Sequence, residues 1–249
     1  MTATVGLDRD SLDMMLDALD EFVVGALPDE RLLELDHEDT CPEETIRAMC
    51  GEDLGVHLVF IPEEYGGLGG GAFDSYRVCE RLARIDIGVA TSVFATFLGT
   101  DPILIGATSE QRKEWLGRIA EEGLLFAYGA TEPEAGSDLG AMKTTATPVE
   151  TDGQVTAYRI NGRKQWISNG SIADVYTVLA LAPDGPSWFI VEKGTAGFSA
   201  GTTTSSRNRA AVFDSRMPCL SSGDAAEKPA VPFSTMNQDG PSGANARTV

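Results

Sequence analysis

The sequence predicts an α+β protein, with an N-terminal all-helical domain followed by an antiparallel β-domain. Up to Gly123, apolar residues recur mostly at spacings of three and four. Beyond it, short β-prone runs are separated by Gly, Pro, Asp and Asn at the spacing of an antiparallel sheet. Helices first and strands second means two segregated layers, because a parallel α/β sheet would alternate them. The expected division is 1–123 (helical), 124–200 (β) and 201–249. This last stretch is a tail rich in Gly, Ser, Thr, Pro and Asn, with too few apolar residues to offset the cost of ordering.

Leu12, Met15, Leu16, Leu19, Phe22 and Val23 form one apolar helical face over residues 10–26. His37 lies in the acidic run Glu34, Asp36, Glu38, Asp39, which reads as a solvated connection. Pro42 opens a short helix that turns Ile46, Met49 and Cys50 inward. The apolar run Val56 to Ile61 is strand-like, and the glycines from Gly66 to Gly71 make a tight link to a helix over 73–85, with Phe73, Tyr76, Val78 and Leu82 in its period. Residues 88–106 read as a buried helix broken at Asp101-Pro102, where the proline starts a shorter one. Thr108 and Gln111 match a capping box for a helix whose stripe is Trp115, Leu116 and Ile119. After the apolar run Leu124 to Ala130, strands are expected at 144–147, 155–161, 164–167, 175–182 and 187–192. Asp152-Gly153 is the clearest hairpin turn.

Acids outnumber Lys and Arg 38 to 19, a net charge of −19, which argues against nucleic acid or an anionic membrane as partner because both attract clustered cations. No stretch approaches 18 consecutive apolar residues, so no membrane span is expected. The opening MTATVGLDRDSLDMML lacks the pattern of a secretory or transit signal, and the expected location is cytoplasmic. Four scattered cysteines (Cys41, Cys50, Cys79, Cys219) without CxxC, and only His37 and His57 beside them, suggest neither disulfides nor a metal site. Cys50 and Cys79 read as small core residues, and His57 as a packed, hydrogen-bonded histidine. Gly67, Gly69 and Ala72 spell the dinucleotide fingerprint G-x-G-x-x-A. Pro62 and four further residues separate the apolar run from its first glycine, however, and no βαβ alternation follows.

The informative stretch is Phe126 to Asp138, FAYGATEPEAGSD. An apolar strand ends in small residues and then gathers Thr131, Ser137 and several backbone N–H groups in one turn. Pro133 fixes the backbone there, while Gly129 and Gly136 permit close approach by a flat ligand. With no Lys or Arg inside it, the turn suits a planar hydrogen-bonding ring better than a phosphate; alone, it also fits a surface loop. Residues 161–170, NGRKQWISNG, add a turn and then an indole beside a hydroxyl. Read as a strand, their alternation puts Trp166 and Ser168 on one face. By itself Trp166 equally fits a core residue of a sheet.

Together TEPEAGSD (131–138) and NGRKQWISNG (161–170) resemble the two flavin signatures of the acyl-CoA dehydrogenase family. The likeness extends through IPEEYGGLGGG (61–71) and SEQRKEWL (109–116), covering about residues 10–200. The resemblance implies FAD as cofactor and an N-terminal helical, middle β and C-terminal helical domain. It also implies a substrate that is an acyl-CoA or acyl-carrier-protein thioester, oxidised to the 2,3-enoyl form. An electron-transfer flavoprotein would be the electron acceptor, and the assembly a homo-oligomer. It further implies that Tyr128, Gly129, Ala130, Thr131 and Ser137 contact the flavin, that Ser137 also touches the thioester, and that Trp166 covers the isoalloxazine with Ile167 and Ser168 beside it. Ser168 stands where the family more often has Thr, and keeps the hydroxyl.

The family's general base is a glutamate of the C-terminal helical domain, before which this sequence is expected to stop, so no catalytic residue is assigned here. AVFDSRMP at 211–218 faintly echoes a family strand, yet composition changes abruptly near 201, as in a truncated or frame-altered copy. Two alternatives therefore stand beside an incomplete dehydrogenase. One is a non-catalytic remnant acting through partner binding; the other is a flavin monooxygenase or acyl-carrier-protein dehydrogenase of the same fold.

Overall fold

The computed structural model describes residues 6–38, 40–200 and 232–235. Helices come first: α1 (Arg9–Ala26), α2 (Asp29–His37), α3 (Glu43–Met49), α4 (Ala72–Ile85), α5 (Ile87–Gly106) and α6 (Ser109–Glu122). Strands follow: β1 (Phe126–Gly129), β2 (Thr145–Thr151), β3 (Gln154–Asn161), β4 (Val175–Ala182), β5 (Gly185–Glu192) and β6 (Pro232–Thr235). The α+β fold class holds. The rest of the tail, AVFDSRMP included, lies outside the described residues.

Local chemistry explains most of these boundaries. The Asp8 carboxylate accepts from the Ser11 amide and starts α1, which buries Leu12, Leu16, Leu19 and Val23. At α6 the capping box forms as read: Thr108 Oγ1 accepts from the Gln111 amide at 3.2 Å, and Gln111 Oε1 accepts from the Thr108 amide at 3.0 Å. Gly123, at φ 64°, closes that helix.

Four readings change. Glu34, Asp36 and His37 of the acidic run lie in helix α2, not in a connection, and Glu38 caps its C-terminus. Pro28 starts it, Asp29 and Glu30 complement its dipole, and Leu32 and Leu35 pack on the core. The run Val56–Phe60 is a 3-10 turn, entered through Gly55 at φ 69°, and buries Val56, His57, Val59 and Phe60. In α4 the inward face is Asp74, Ser75, Val78 and Leu82, which leaves Phe73 and Tyr76 65% and 62% exposed. The Asp74 carboxylate sets this rotation by accepting from the amides of Leu7 (2.9 Å) and Gly71 (2.7 Å). Finally, α5 continues unbroken through Pro102. The lost hydrogen bond is outweighed by burial of Ile103 and Ala107 against Ile61, Leu116 and Phe126. By length and composition this 20-residue helix could cross a membrane, but half of it is buried, where it packs on α4 and β1.

The sheet runs β3-β2-β4-β5-β6, with β1 also beside β4. It is mixed rather than wholly antiparallel. β2–β3, β4–β5 and β5–β6 are antiparallel, whereas β1 pairs parallel with β4 from Phe126↔Val175 to Gly129↔Val178, and β2 meets β4 in parallel at Thr145↔Leu181. Since β5 occupies the other edge of β4, β1 and β2 lie end to end along this one. The β2–β3 hairpin turns on Asp152 (φ 54°) and Gly153 (φ 76°), as the Asp-Gly pair predicts.

The two layers are tightly joined. A Cβ on Gly99 of α5 would sit 2.7 Å from Phe126 Cβ, so only glycine lets the helix lie on β1. The Thr177 hydroxyl donates to Gly99 O at 2.9 Å, and the Phe126 amide donates to Thr96 Oγ1 at 3.3 Å. Arg47 of α3 forks onto both carboxylate oxygens of Asp174 (2.9 and 3.1 Å) and donates to Ile172 O (2.6 Å). Asp174 also accepts from the Leu125 amide at 3.0 Å.

Candidate functional site

Where β1 ends, the chain turns sharply through residues 130–138. The Glu132 amide donates to Ala135 O (2.8 Å) and the Ala135 amide to Glu132 O (3.3 Å). This small loop buries Ala135 and exposes Pro133, Glu134, Gly136 and Ser137.

Residues 164–167, expected as a strand, are not one. The alternation that would align Trp166 with Ser168 is absent because two buried anchors on either side of Trp166 take over the backbone. Lys164 is drawn inward to Glu132, and Asn169, at φ 60°, donates from Nδ2 to Ser92 O (2.8 Å), Phe126 O (3.2 Å) and Thr96 Oγ1 (3.4 Å). Between them Trp166 is turned out, 67% exposed at φ 60°, a left-handed conformation unfavourable for a bulky residue.

The two signature segments meet. The Gln165 amide donates to Thr131 O at 3.0 Å, which places Thr131 and Trp166 in adjacent positions of paired backbone. Among the described residues, the hydroxyls of Thr131, Ser137 and Ser168 and the indole N–H of Trp166 have no hydrogen-bond partner. Tyr128 is half-buried against Trp188, with ring centroids 4.6 Å apart. Burial, and then the nearby Asp101 carboxylate, push its phenol above the ordinary range. Ala130 is buried with Ala135, Met142 and Leu179. The lack of a Gly129 side chain serves the sheet, since a Cβ there would lie 3.2 Å from Thr177 O. Ile167 points into the sheet core with Ala127, Ala173 and Tyr176, so its main chain, not its side chain, borders the exposed surface.

One pair of site residues was not foreseen. The turn holding Thr131 is not free of cations, because Lys164 enters it from the other segment. Its Nζ donates to Glu132 Oε1 (2.7 Å) and Ala130 O (2.9 Å) and lies 3.6 Å from Met142 Sδ. Glu132 also accepts from the amides of Lys143 (2.6 Å) and Thr144 (3.0 Å). Both charged side chains are at most 2% exposed. Burial pushes Lys164 below its ordinary value against the opposing pull of Glu132. Burial alone would raise Glu132, but hydrogen bonds from Lys164, Thr144 and Lys143 outweigh it and hold the carboxylate below its ordinary range. No periodicity links residues 32 apart, so pattern reading had no route to this contact.

The arrangement is matched elsewhere. Residues 9–123 fit the description of the acyl-CoA dehydrogenase N-terminal domain and residues 127–213 that of the acyl-CoA dehydrogenase middle domain. An acryloyl-CoA reductase (NADH) of Anaerotignum propionicum is 36% identical over 177 residues, 69% of this chain and 44% of that protein. An acyl-CoA dehydrogenase of Bacillus subtilis is 40% identical over 154 residues, 59% of this chain and 39% of its own length. Among solved structures, an acyl-CoA dehydrogenase complexed with FAD from Bacillus anthracis superposes with TM-score 0.71 at 31% identity, covering 90% of this chain and 37% of that one. The matched part thus spans less than half the length of these relatives. With both domain patterns and the fold in agreement, the chain belongs to the acyl-CoA dehydrogenase family.

Proposed function

We propose that this chain supplies the flavin-facing part of an FAD-dependent oxidoreductase that carries out 2,3-dehydrogenation of an acyl thioester. The observation that carries this is the exposed, left-handed Trp166 held beside Thr131, with unpartnered hydroxyls around it. The donor set fits the isoalloxazine of FAD: an indole face to cover an apolar ring, and hydroxyls to meet its polar edge. FAD, when bound, supplies two-electron acceptor chemistry.

The residues divide the work. Trp166 covers one ring face and keeps water from it, while Thr131 and Ser168 donate to the ring edge. Tyr128 and Ala130 form the wall below, and Ser137, at the exposed end of the turn, reaches the thioester. Glu132 is committed to Lys164 and does not remove the proton next to the thioester carbonyl. That task falls to a glutamate of the C-terminal helical domain of the full-length family. An electron-transfer flavoprotein as acceptor and a homo-oligomeric assembly belong to the same proposal.

Titrating the purified chain with FAD, while following flavin fluorescence and the visible spectrum, tests this reading. Saturable quenching with a shifted spectrum is expected, and Trp166→Ala should lose it without a change in melting temperature, because an exposed indole contributes little to the core. Identical titrations of the two proteins, or no binding by the unaltered chain, would refute it. Bleaching of the bound flavin by a saturated acyl-CoA, in a protein that includes the family's C-terminal helical domain, tests the substrate class.

A further inference from the structure

We infer that the buried Glu132–Lys164 pair is a positioning device, which fixes the register in which Thr131 and Trp166 are presented to the ring. This rests on the proposed flavin site. Both groups are completely satisfied, and their partners come from three separate stretches: Ala130 on the turn, Lys143 and Thr144 just before β2, and each other across the two signatures. Apart from this pair, the hydrogen bonds between the two signatures are the Gln165 amide to Thr131 O at 3.0 Å and a long Gln165 Nε2 to Glu132 O contact at 3.5 Å, while Asn169 holds the strand ahead of the turn at Phe126 O and not the turn itself. One main-chain bond leaves the turn free to slide or twist; a buried charge pair with directional partners does not.

The pair is poorly explained as a source of stability. Desolvating two charges offsets most of their attraction, and shape-matched uncharged replacements often serve stability as well or better. What such replacements lose is the directional demand of the ammonium for Ala130 O and Glu132 Oε1 together. Lys164 also lies two residues before the strained Trp166, so pulling its side chain inward helps turn the indole outward. Glu132 and Lys164 act on the ligand through Thr131 and Trp166 and do not touch it.

The test compares Lys164→Met, Glu132→Gln, the double variant and Glu132→Asp in the full chain. It reads melting temperature, hydrogen exchange of the Gln165 amide, and FAD affinity. Lys164→Met alone strands a buried carboxylate and loses stability. The double variant regains the melting temperature, yet its Gln165 amide exchanges about tenfold faster than in the unaltered chain and FAD binds about tenfold more weakly, the scale of one lost hydrogen bond. Recovery of exchange protection and FAD affinity along with melting temperature would show a merely structural pair and overturn the inference. If the double variant does not fold, Glu132→Asp decides. It keeps both charges but shortens the reach, so faster Gln165 exchange supports positioning and unchanged exchange overturns it. Should the unaltered chain not bind FAD, the proposed function falls, while Gln165 exchange still decides the role of the pair.

Discussion

Replacing Asn169 with alanine is the most direct probe of how the site is held on the helical layer. Its amide nitrogen serves Ser92 O, Phe126 O and Thr96 Oγ1 at once, joining α5, β1 and the segment after Trp166. Alanine removes both main-chain hydrogen bonds, at about 1 kcal/mol each. It also places a Cβ-bearing residue without Asn's local hydrogen bonding at φ 60°, at a further cost of about 1 kcal/mol. Because Oδ1 of Asn169 has no partner among the described residues, nothing is lost on that side. The expected loss is about 3 kcal/mol, which in a chain of this size lowers the melting temperature by roughly 9 °C. Thermal unfolding followed by far-UV circular dichroism measures it. Asn169→Gly removes the same bonds but not the conformational freedom, and should sit about 1 kcal/mol above Asn169→Ala. If the alanine variant melts within about 2 °C of the unaltered chain, or the glycine variant is the less stable of the two, the argument is wrong.

Further expectations follow from the same physics. Burial, against the weaker pull of the Ala120 and Ile119 carbonyls, pushes His57 below its ordinary value of 6.5, so the unfolded chain takes up a proton that the folded chain refuses. This contribution to stability is complete above 6.5 and declines as pH falls through it toward the folded value. His57→Gln should therefore shrink the drop in urea midpoint between about pH 7.5 and about pH 5.5, and an unchanged drop would count against it. The Cys50 thiol, completely buried, is pushed up to about 12. Peptide mapping after thiol labelling should find Cys41 and Cys79 modified in the native chain and Cys50 only in denaturant. At Gly67 a Cβ would sit 1.9 Å from Ile61 O, whereas at Gly117 in α6 nothing lies within 4 Å. Gly67→Ala should cost more than about 3 kcal/mol and Gly117→Ala should add about 0.5–1 kcal/mol, both read from urea midpoints.

What pattern reading captured is the part of this fold governed by local rules. The capping box at Thr108 and the Asp152-Gly153 hairpin are decided within a few residues, and β4 shows as an apolar run broken by Thr177 alone because both its faces are covered. The misreadings share a cause: the deciding contact lies far off in sequence. Helix α2 looked like a charged linker because two leucines carry its whole inward face. The Phe73 and Tyr76 face lost to Asp74, whose carboxylate is claimed by Leu7 at the other end of the domain. Pro102 fails to break α5 because Ile103 beyond it is committed to a core shared with α6 and β1. At the site, the signature residues were legible as a group. Their geometry was not, since Trp166 owes its orientation to Lys164 and Asn169, anchored on Glu132 and Ser92.

The carboxylate of Asp174 reaches across the border that composition draws after Gly123. One guanidinium from the third helix grips it, and the amide that leads into the first strand leans on it. Peeling the helices from the sheet breaks this fork together with the Thr177–Gly99 and Asn169–Ser92 hydrogen bonds, so the layers are expected to melt together as one cooperative body. Cutting the gene at that border would not yield two independent pieces; each fragment would carry half of a contact that neither can complete alone.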